Sequence, residues 1–400
     1  MPINLPNSSD PLLIILKLPG EVCNINCHYC YEKRKPYHDD KYMMPETIRR
    51  LLSTLNGRPI SVQLHGGEPL VLGIKRMEKV IQELSQYPGE VDLNIQTNGT
   101  LLTPEWLDFF ERVWPDIEIG VSLDGDADAN WHRVDYQDRP AHAKIEKSLE
   151  LLTERGHKVG IIAVITRRAL GRAEELLKYF TQFPCIKMLN LSPCLDYDVN
   201  HPWKNRSRQQ KSLVVLNSTE TGTPGWALSP LEYADFLIEA FKAWRDGPGL
   251  DHYLVEPFFS IICRLQGKST RFCPFNERKC SHVLTLYPDG RVGSCDELRM
   301  PEAFLASVSD FDDVNFISRL QTNPELHGRM NKLKAICDTC AYQPTCQGGC
   351  LATRLAYYGT PYEEEYCAYR AKVIDFIRTE VGQSSLNAPV PVSEYSTNVR

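Results

Sequence analysis

The sequence predicts an α/β fold: a partial (β/α)6 TIM-like barrel followed by a cysteine-rich C-terminal domain. Three observations carry this expectation. Short apolar runs alternate with helical stretches from Leu12 to Leu191, the pattern of a parallel sheet. Polar and glycine motifs fall where the strands end, on the face where parallel barrels build active sites. The cysteines cluster at metal-ligand spacings.

The elements follow in order. Leu12–Leu18 reads L-L-I-I-L-K-L, a run of buried-strand length. Met44-Pro45-Glu46 opens a helix to about Leu55, with proline in its first turn. Ile60–Leu64 is a strand that runs into His65-Gly66-Gly67-Glu68-Pro69. A helix over Lys75–Ser85 precedes a strand over Val91–Gln96, which ends in Thr97-Asn98-Gly99-Thr100. Pro104–Arg112 is helical, and Ile117–Leu123 is a strand ending in Asp124-Gly125. Lys144–Arg155 and Ala173–Phe180 read as helices; Val159–Ile165 and Met188–Leu191 read as strands. About six units result, against the eight of a full barrel.

The character then changes. His201–Trp226 is rich in Asn, Ser, Thr, Arg and Gln, a long loop of the kind that serves as a lid or substrate segment. Ser229-Pro230 caps a helix to about Arg245, whose apolar positions follow a helical period, and Val255–Leu265 reads as another. The expected domains are a barrel over 1–226, a helical bridge over 227–272, a cysteine-rich domain over 273–375, and a disordered tail over 376–400.

Composition narrows the function. A chain of 400 residues, 42% hydrophobic and 24% charged, is globular and long enough for two domains. A net charge of −6 without a basic run speaks against nucleic acid. No apolar stretch has membrane-spanning length, and the polar N-terminus has no signal-peptide features. Fourteen cysteines without an export signal point to a reducing, cytoplasmic compartment and to metal sites rather than disulfides.

Cys23, Cys27 and Cys30 lie on the loop leaving the first strand. Three thiolates there either bind zinc with a fourth ligand or cap three irons of a 4Fe–4S cube, leaving one iron open. Gly66 and Gly67 let backbone approach a ligand amino acid, and Glu68 can accept from an ammonium; the bland alternative is an ordinary strand-to-helix turn. Near the C-terminus come Cys273, Cys280, Cys295, then Cys337-x2-Cys340-x5-Cys346-x3-Cys350, and Cys367. Eight thiolates suffice for two fully ligated cubes, or for two zinc knuckles. Cys185, Cys194 and Cys263 are left over, and Cys263 reads as core.

The C-x3-C-x2-C spacing, with Tyr29 before the last cysteine and Gly-Gly-Glu-Pro at the next strand end, resembles the radical S-adenosylmethionine (SAM) superfamily. The later cysteines resemble a SPASM domain. The resemblance implies SAM as cofactor, with a cluster on Cys23, Cys27 and Cys30. It implies SAM contacts from Gly66, Gly67, Glu68, Ser122, Asp124, Arg133 and Leu195, in which Ser122 meets the ribose, Arg133 clamps the carboxylate and Leu195 packs the adenine. It further implies auxiliary 4Fe–4S clusters on Cys273, Cys280, Cys295 and Cys350, and on Cys337, Cys340, Cys346 and Cys367, three clusters in all.

Asp296, directly after Cys295, resembles the catalytic base of anaerobic sulfatase-maturing enzymes, which oxidise Cys or Ser to formylglycine. Those enzymes usually carry Gln where this chain has His65. His65-Gly66-Gly67-Glu68-Pro69-Leu70 and His132-Arg133-Val134-Asp135 look more like maturases of ribosomally made peptides, including those that form cyclophanes. The expected activity is therefore two-electron oxidation of a precursor peptide, with Asp296 and His65 in the reaction and cross-linking as the product. Formylglycine formation is the alternative, and a zinc-binding interaction protein a remote one. A flavodoxin or ferredoxin would supply electrons. No extra leader-binding domain is evident at the N-terminus, which leaves leader recognition to the SPASM region or a partner.

Overall fold

The computed structural model describes residues 11–32, 41–195, 225–298, 303–307 and 324–383. The long polar loop lies outside these residues except for Gly225 and Trp226, as does the chain beyond Gln383.

Six strands and five helices alternate as the sequence predicts. The strands are β1 (Leu12–Lys17), β2 (Ile60–His65), β3 (Val91–Thr97), β4 (Glu118–Ser122), β5 (Val159–Ile165) and β6 (Ile186–Pro193). The helices are α1 (Pro45–Ser53), α2 (Ile74–Ser85), α3 (Pro104–Val113), α4 (His142–Glu154) and α5 (Ala173–Phe180). Each helix buries one apolar stripe on the sheet; α1, for example, buries Ile48, Leu51 and Leu52. Local chemistry starts α3: Thr103 accepts from the Trp106 amide, and Pro104 occupies the first turn.

α6 (Pro230–Asp246) begins with a capping box, in which Ser229 and Glu232 satisfy each other's backbone amides. The short α7 (Gly249–His252) follows. The expected helix from Val255 is corrected here. Leu254–Glu256 form a seventh strand, β7, parallel to β6, and α8 begins only at Phe258 and ends at Leu265. A three-residue strand against a helix of Phe, Ile and Leu leaves too little period-2 pattern to separate the two. The stretch 227–272 therefore adds one short strand, Leu254–Glu256, to the sheet beside its helices.

Glu256 on β7 is buried, accepting from the amide and hydroxyl of Ser260. Burial pushes its carboxyl up to about 7, against those hydrogen bonds. A folded-state value above the ordinary 4.5 means that stability is fully present below pH 4.5 and falls as pH rises through 7. Glu256→Gln is expected to remove that loss, of the order of 3 kcal/mol at pH 8, and to match the parent near pH 4. Urea midpoints at the two pH values check this.

The C-terminal region joins the same sheet. It adds β8 (Val283–Leu286), β9 (Arg291–Gly293) and β10 (Phe304–Ser307), then α9 (Pro324–Ala335), α10 (Gln343–Cys346), α11 (Leu351–Tyr357) and α12 (Tyr362–Gln383). Among the described residues one ten-stranded sheet runs β10-β9-β8-β1-β2-β3-β4-β5-β6-β7. β8 pairs in parallel with β1, with Leu286 opposite Leu16. The last helix corrects the assigned tail: α12 continues through Phe376, which packs edge-on against Phe241 of α6, and ends at Gln383.

Candidate active site

The site lies at the C-terminal ends of β1 to β4. Gly66 has φ +139°, and a Cβ there would lie 2.4 Å from Pro19 Cδ. At Gly67 a Cβ would lie 2.2 Å from the Val22 carbonyl oxygen. The close approach that requires these glycines is therefore to the chain's own cysteine loop. The Gly67 amide donates to Gly20 O at 2.9 Å, and the Glu68 amide donates to Val22 O at 3.0 Å. Gly67→Ala is expected to push the loop away at a cost of about 1–3 kcal/mol. Faster alkylation of Cys23, Cys27 and Cys30 in iron-free protein, read by mass, checks this.

Glu68 is fully buried. Its carboxylate accepts from the amides of Leu70 and Asn98 and from the Thr97 hydroxyl. Burial pushes it up to about 7, although these hydrogen bonds oppose the shift. Glu68 thus ties the Gly-Gly turn to the end of β3. Asn98 continues the connection: its Nδ2 donates to Asn24 Oδ1 at 2.9 Å and reaches Cys23 Sγ at 3.6 Å.

The Cys23 thiol is pushed up by burial, then by Glu68, Cys27 and Cys30. A thiol whose ionisation is opposed by its neighbours suits a cationic iron–sulfur core, which would relieve the repulsion. A single zinc ion needs thiolates about 3.8 Å apart. Among the described residues no three His, Cys, Asp or Glu side chains form a single-ion site.

Tyr29 holds the loop from the other side. Its hydroxyl donates to Asp124 Oδ2 at 2.5 Å, and Arg133 Nη2 donates to Asp124 Oδ1 at 2.8 Å. The guanidinium lies 5.6 Å from the Tyr29 ring centroid. Asp124 and Arg133 are both buried in this contact, where each neutralises the other. Arg133 Nε has no hydrogen-bond partner among the described residues. Ser122 accepts from Gln96 Nε2 at 3.0 Å, and Leu195 is buried, bridging to Leu228.

The sequence reading missed the hub of the site, Lys17. It ends β1 with 1% exposure. Its ammonium donates to Glu32 Oε1 at 2.6 Å, to Asp296 Oδ2 at 2.8 Å and to His65 Nδ1 at 3.1 Å. Three donors meet three acceptors. Burial alone would lower its pKa, but Asp296 and Glu32 more than offset that and raise it. Because an ammonium only donates, His65 Nδ1 must accept, which leaves the imidazole proton on Nε2. The Tyr31 hydroxyl also donates to Asp296 Oδ2, at 3.1 Å. The pairing of β8 with β1 carries Asp296 to Lys17. A lysine inside an apolar strand was the signal that could have revealed the hub.

The C-terminal cysteines form two groups. Burial, Asp296, Cys280 and Cys273 push the Cys295 thiol well up, and Cys280 and Cys350 pack on the same small apolar cluster. Cys367 is pushed up by burial, pulled down by Arg354, and raised again by Cys346, Cys337 and Cys340. Cys185, Cys194 and Cys263 are buried, and Cys194 and Cys185 belong to the barrel core.

Residues 18–180 match the model of the radical SAM superfamily. The serine-type anaerobic sulfatase-maturating enzyme of Bacteroides thetaiotaomicron is 26% identical over 394 residues, covering 93% of this chain and 92% of that protein. Native anSMEcpe, solved with bound AdoMet and Cp18Cys peptide, superposes with a TM-score of 0.76 at 22% identity, over 94% of this chain and 99% of that one. Streptococcus suis SuiB bound to its precursor peptide SuiA gives 0.57 at 16% identity, over 88% and 74%. The superfamily match falls on the cysteine loop, the Gly-Gly turn and the strand ends described above, and residues 18–180 carry a radical SAM domain.

Proposed function

We propose that the chain oxidises a peptide side chain by two electrons, forming a carbon–carbon cross-link between an aromatic ring and a neighbouring Cβ in a ribosomally made peptide. His65 carries this reading. It stands where sulfatase-maturing enzymes usually have Gln, and Lys17 fixes it beside Asp296. A neutral imidazole offers a flat face for a substrate ring and an Nε2–H donor, where a Gln amide suits a small hydroxyl or thiol.

We assign Cys23, Cys27 and Cys30 to the first cluster and Gly66, Gly67, Glu68, Ser122 and Leu195 to the SAM site. Asp124 and Arg133 brace the cysteine loop through Tyr29. When bound, the cluster and SAM supply one-electron cleavage of the sulfonium and a radical that takes a hydrogen atom from substrate Cβ. To reach a closed-shell product the substrate must also lose a proton and an electron. Asp296 accepts the proton, and Lys17, Tyr31 and Glu32 hold it in place. Cys273, Cys280, Cys295 and Cys350 would hold one auxiliary cluster, and Cys337, Cys340, Cys346 and Cys367 the other. A flavodoxin or ferredoxin is the expected reductant. No described helix is long and apolar enough to cross a membrane.

Formylglycine formation is the second reading, favoured by similarity to a sulfatase-maturating enzyme over more than nine-tenths of both chains. Anaerobic co-expression with a precursor peptide and, separately, with a sulfatase separates the two. Loss of two hydrogens, no reaction with hydroxylamine and missing backbone fragments within the linked span mark a cross-link. An aldehyde trapped by hydroxylamine on the sulfatase overturns that reading.

A further inference from the structure

Two buried arginines reach the sulfurs of the second C-terminal cysteine group. Arg354 Nη1 donates to Cys337 Sγ at 3.3 Å, and Arg370 Nε donates to Cys346 Sγ at 3.0 Å. The two side chains are 7% and 5% exposed. Each guanidinium is fixed by carbonyls: Arg354 by Leu333 and Gly348, Arg370 by Pro274 and Cys346. Arg370 also lies 4.1 Å from the Phe275 ring centroid. Among the described residues neither arginine pairs with a carboxylate, so both charges act on sulfur and backbone dipoles.

We propose that Arg354 and Arg370 are redox-tuning residues that give the Cys337, Cys340, Cys346 and Cys367 cluster the higher reduction potential, making it the last electron acceptor within the chain. This rests on the reading that both cysteine groups hold 4Fe–4S clusters. Reduction from the 2+ to the 1+ core adds one electron and one negative charge to the core and its thiolates. N–H···S bonds and a buried cation stabilise the added charge and raise the potential. The surroundings of Cys295 act in the opposite sense. Asp296 and Glu297 follow it directly, and Lys17 is shared with a third carboxylate, Glu32.

An electron lost by the substrate therefore runs downhill toward Cys337 and Cys346. Cys340 and Cys367 are exposed. At that face a cluster held by these four cysteines would supply one electron to a one-electron carrier protein of the flavin or iron–sulfur class. One electron enters and one leaves, and no atom or proton moves.

Anaerobic potentiometry by electron paramagnetic resonance on the iron-loaded full chain tests this. Two auxiliary midpoints are expected, and Cys340→Ala should remove the higher one; loss of the lower one overturns the proposal. Arg354→Gln with Arg370→Gln should lower that midpoint by at least a tenfold change in the oxidised-to-reduced ratio, about 59 mV for one electron. The paired Lys variants should recover part of the shift. An unchanged midpoint with full iron overturns the assignment to the arginines. Iron of about four atoms per chain instead of about twelve would show that the cluster reading itself fails.

Discussion

Replacing Cys23, Cys27 and Cys30 together by alanine is expected to abolish reductive SAM cleavage and to remove about four of about twelve irons. The fold should persist. The loop is held by backbone bonds from Gly67 and Glu68 and by the Tyr29 hydroxyl, none of which uses a thiol. The C-terminal groups lie on other elements, so their iron and brown colour should remain. Iron and sulfide content, the visible spectrum and 5′-deoxyadenosine formation check the result together. Unchanged 5′-deoxyadenosine, or a colourless parent protein that carries zinc, would sink the assignment.

Asp296→Asn should separate radical generation from product. Lys17 keeps Glu32 as a partner, so the buried ammonium stays neutralised and the fold survives. Loss of the proton acceptor should lower product by roughly 10²–10⁴-fold, while SAM is still consumed in the presence of peptide. Lys17→Met should act differently. It leaves Glu32 and Asp296 buried with their shared cation gone, a loss of about 3–5 kcal/mol of stability. Adding Glu32→Gln should restore part of that stability without restoring product. Full product from Asp296→Asn would reject Asp296 as the base.

Local chemistry wrote the strand–helix alternation and the cysteine spacings, and both could be read in the sequence. Pro45, Thr103 and the Ser229–Glu232 box each act within a few residues of their helix, which is why those starts were legible. Lys17 was not, because its partners lie 15, 48 and 279 residues away. The glycines were recognised as a close-approach motif, but the sequence could not say that Pro19–Val22 is what approaches. Asp124 and Arg133 look like cofactor contacts when only their strand-end position is known. Their burial, their mutual pairing and their contact with Tyr29 exist only in the folded chain.

The parallel pairing of β8 with β1 also has a kinetic side. β8 leaves the ribosome more than 260 residues after β1. At about 5–20 residues per second, one flank of an apolar strand waits some tens of seconds for its neighbour. Until then its unpaired amides and carbonyls form an open sheet edge, a template for aggregation, and Lys17 lacks Asp296. Chains stopped before Val283 should therefore accumulate as insoluble material, whereas the full-length chain seals that edge from within.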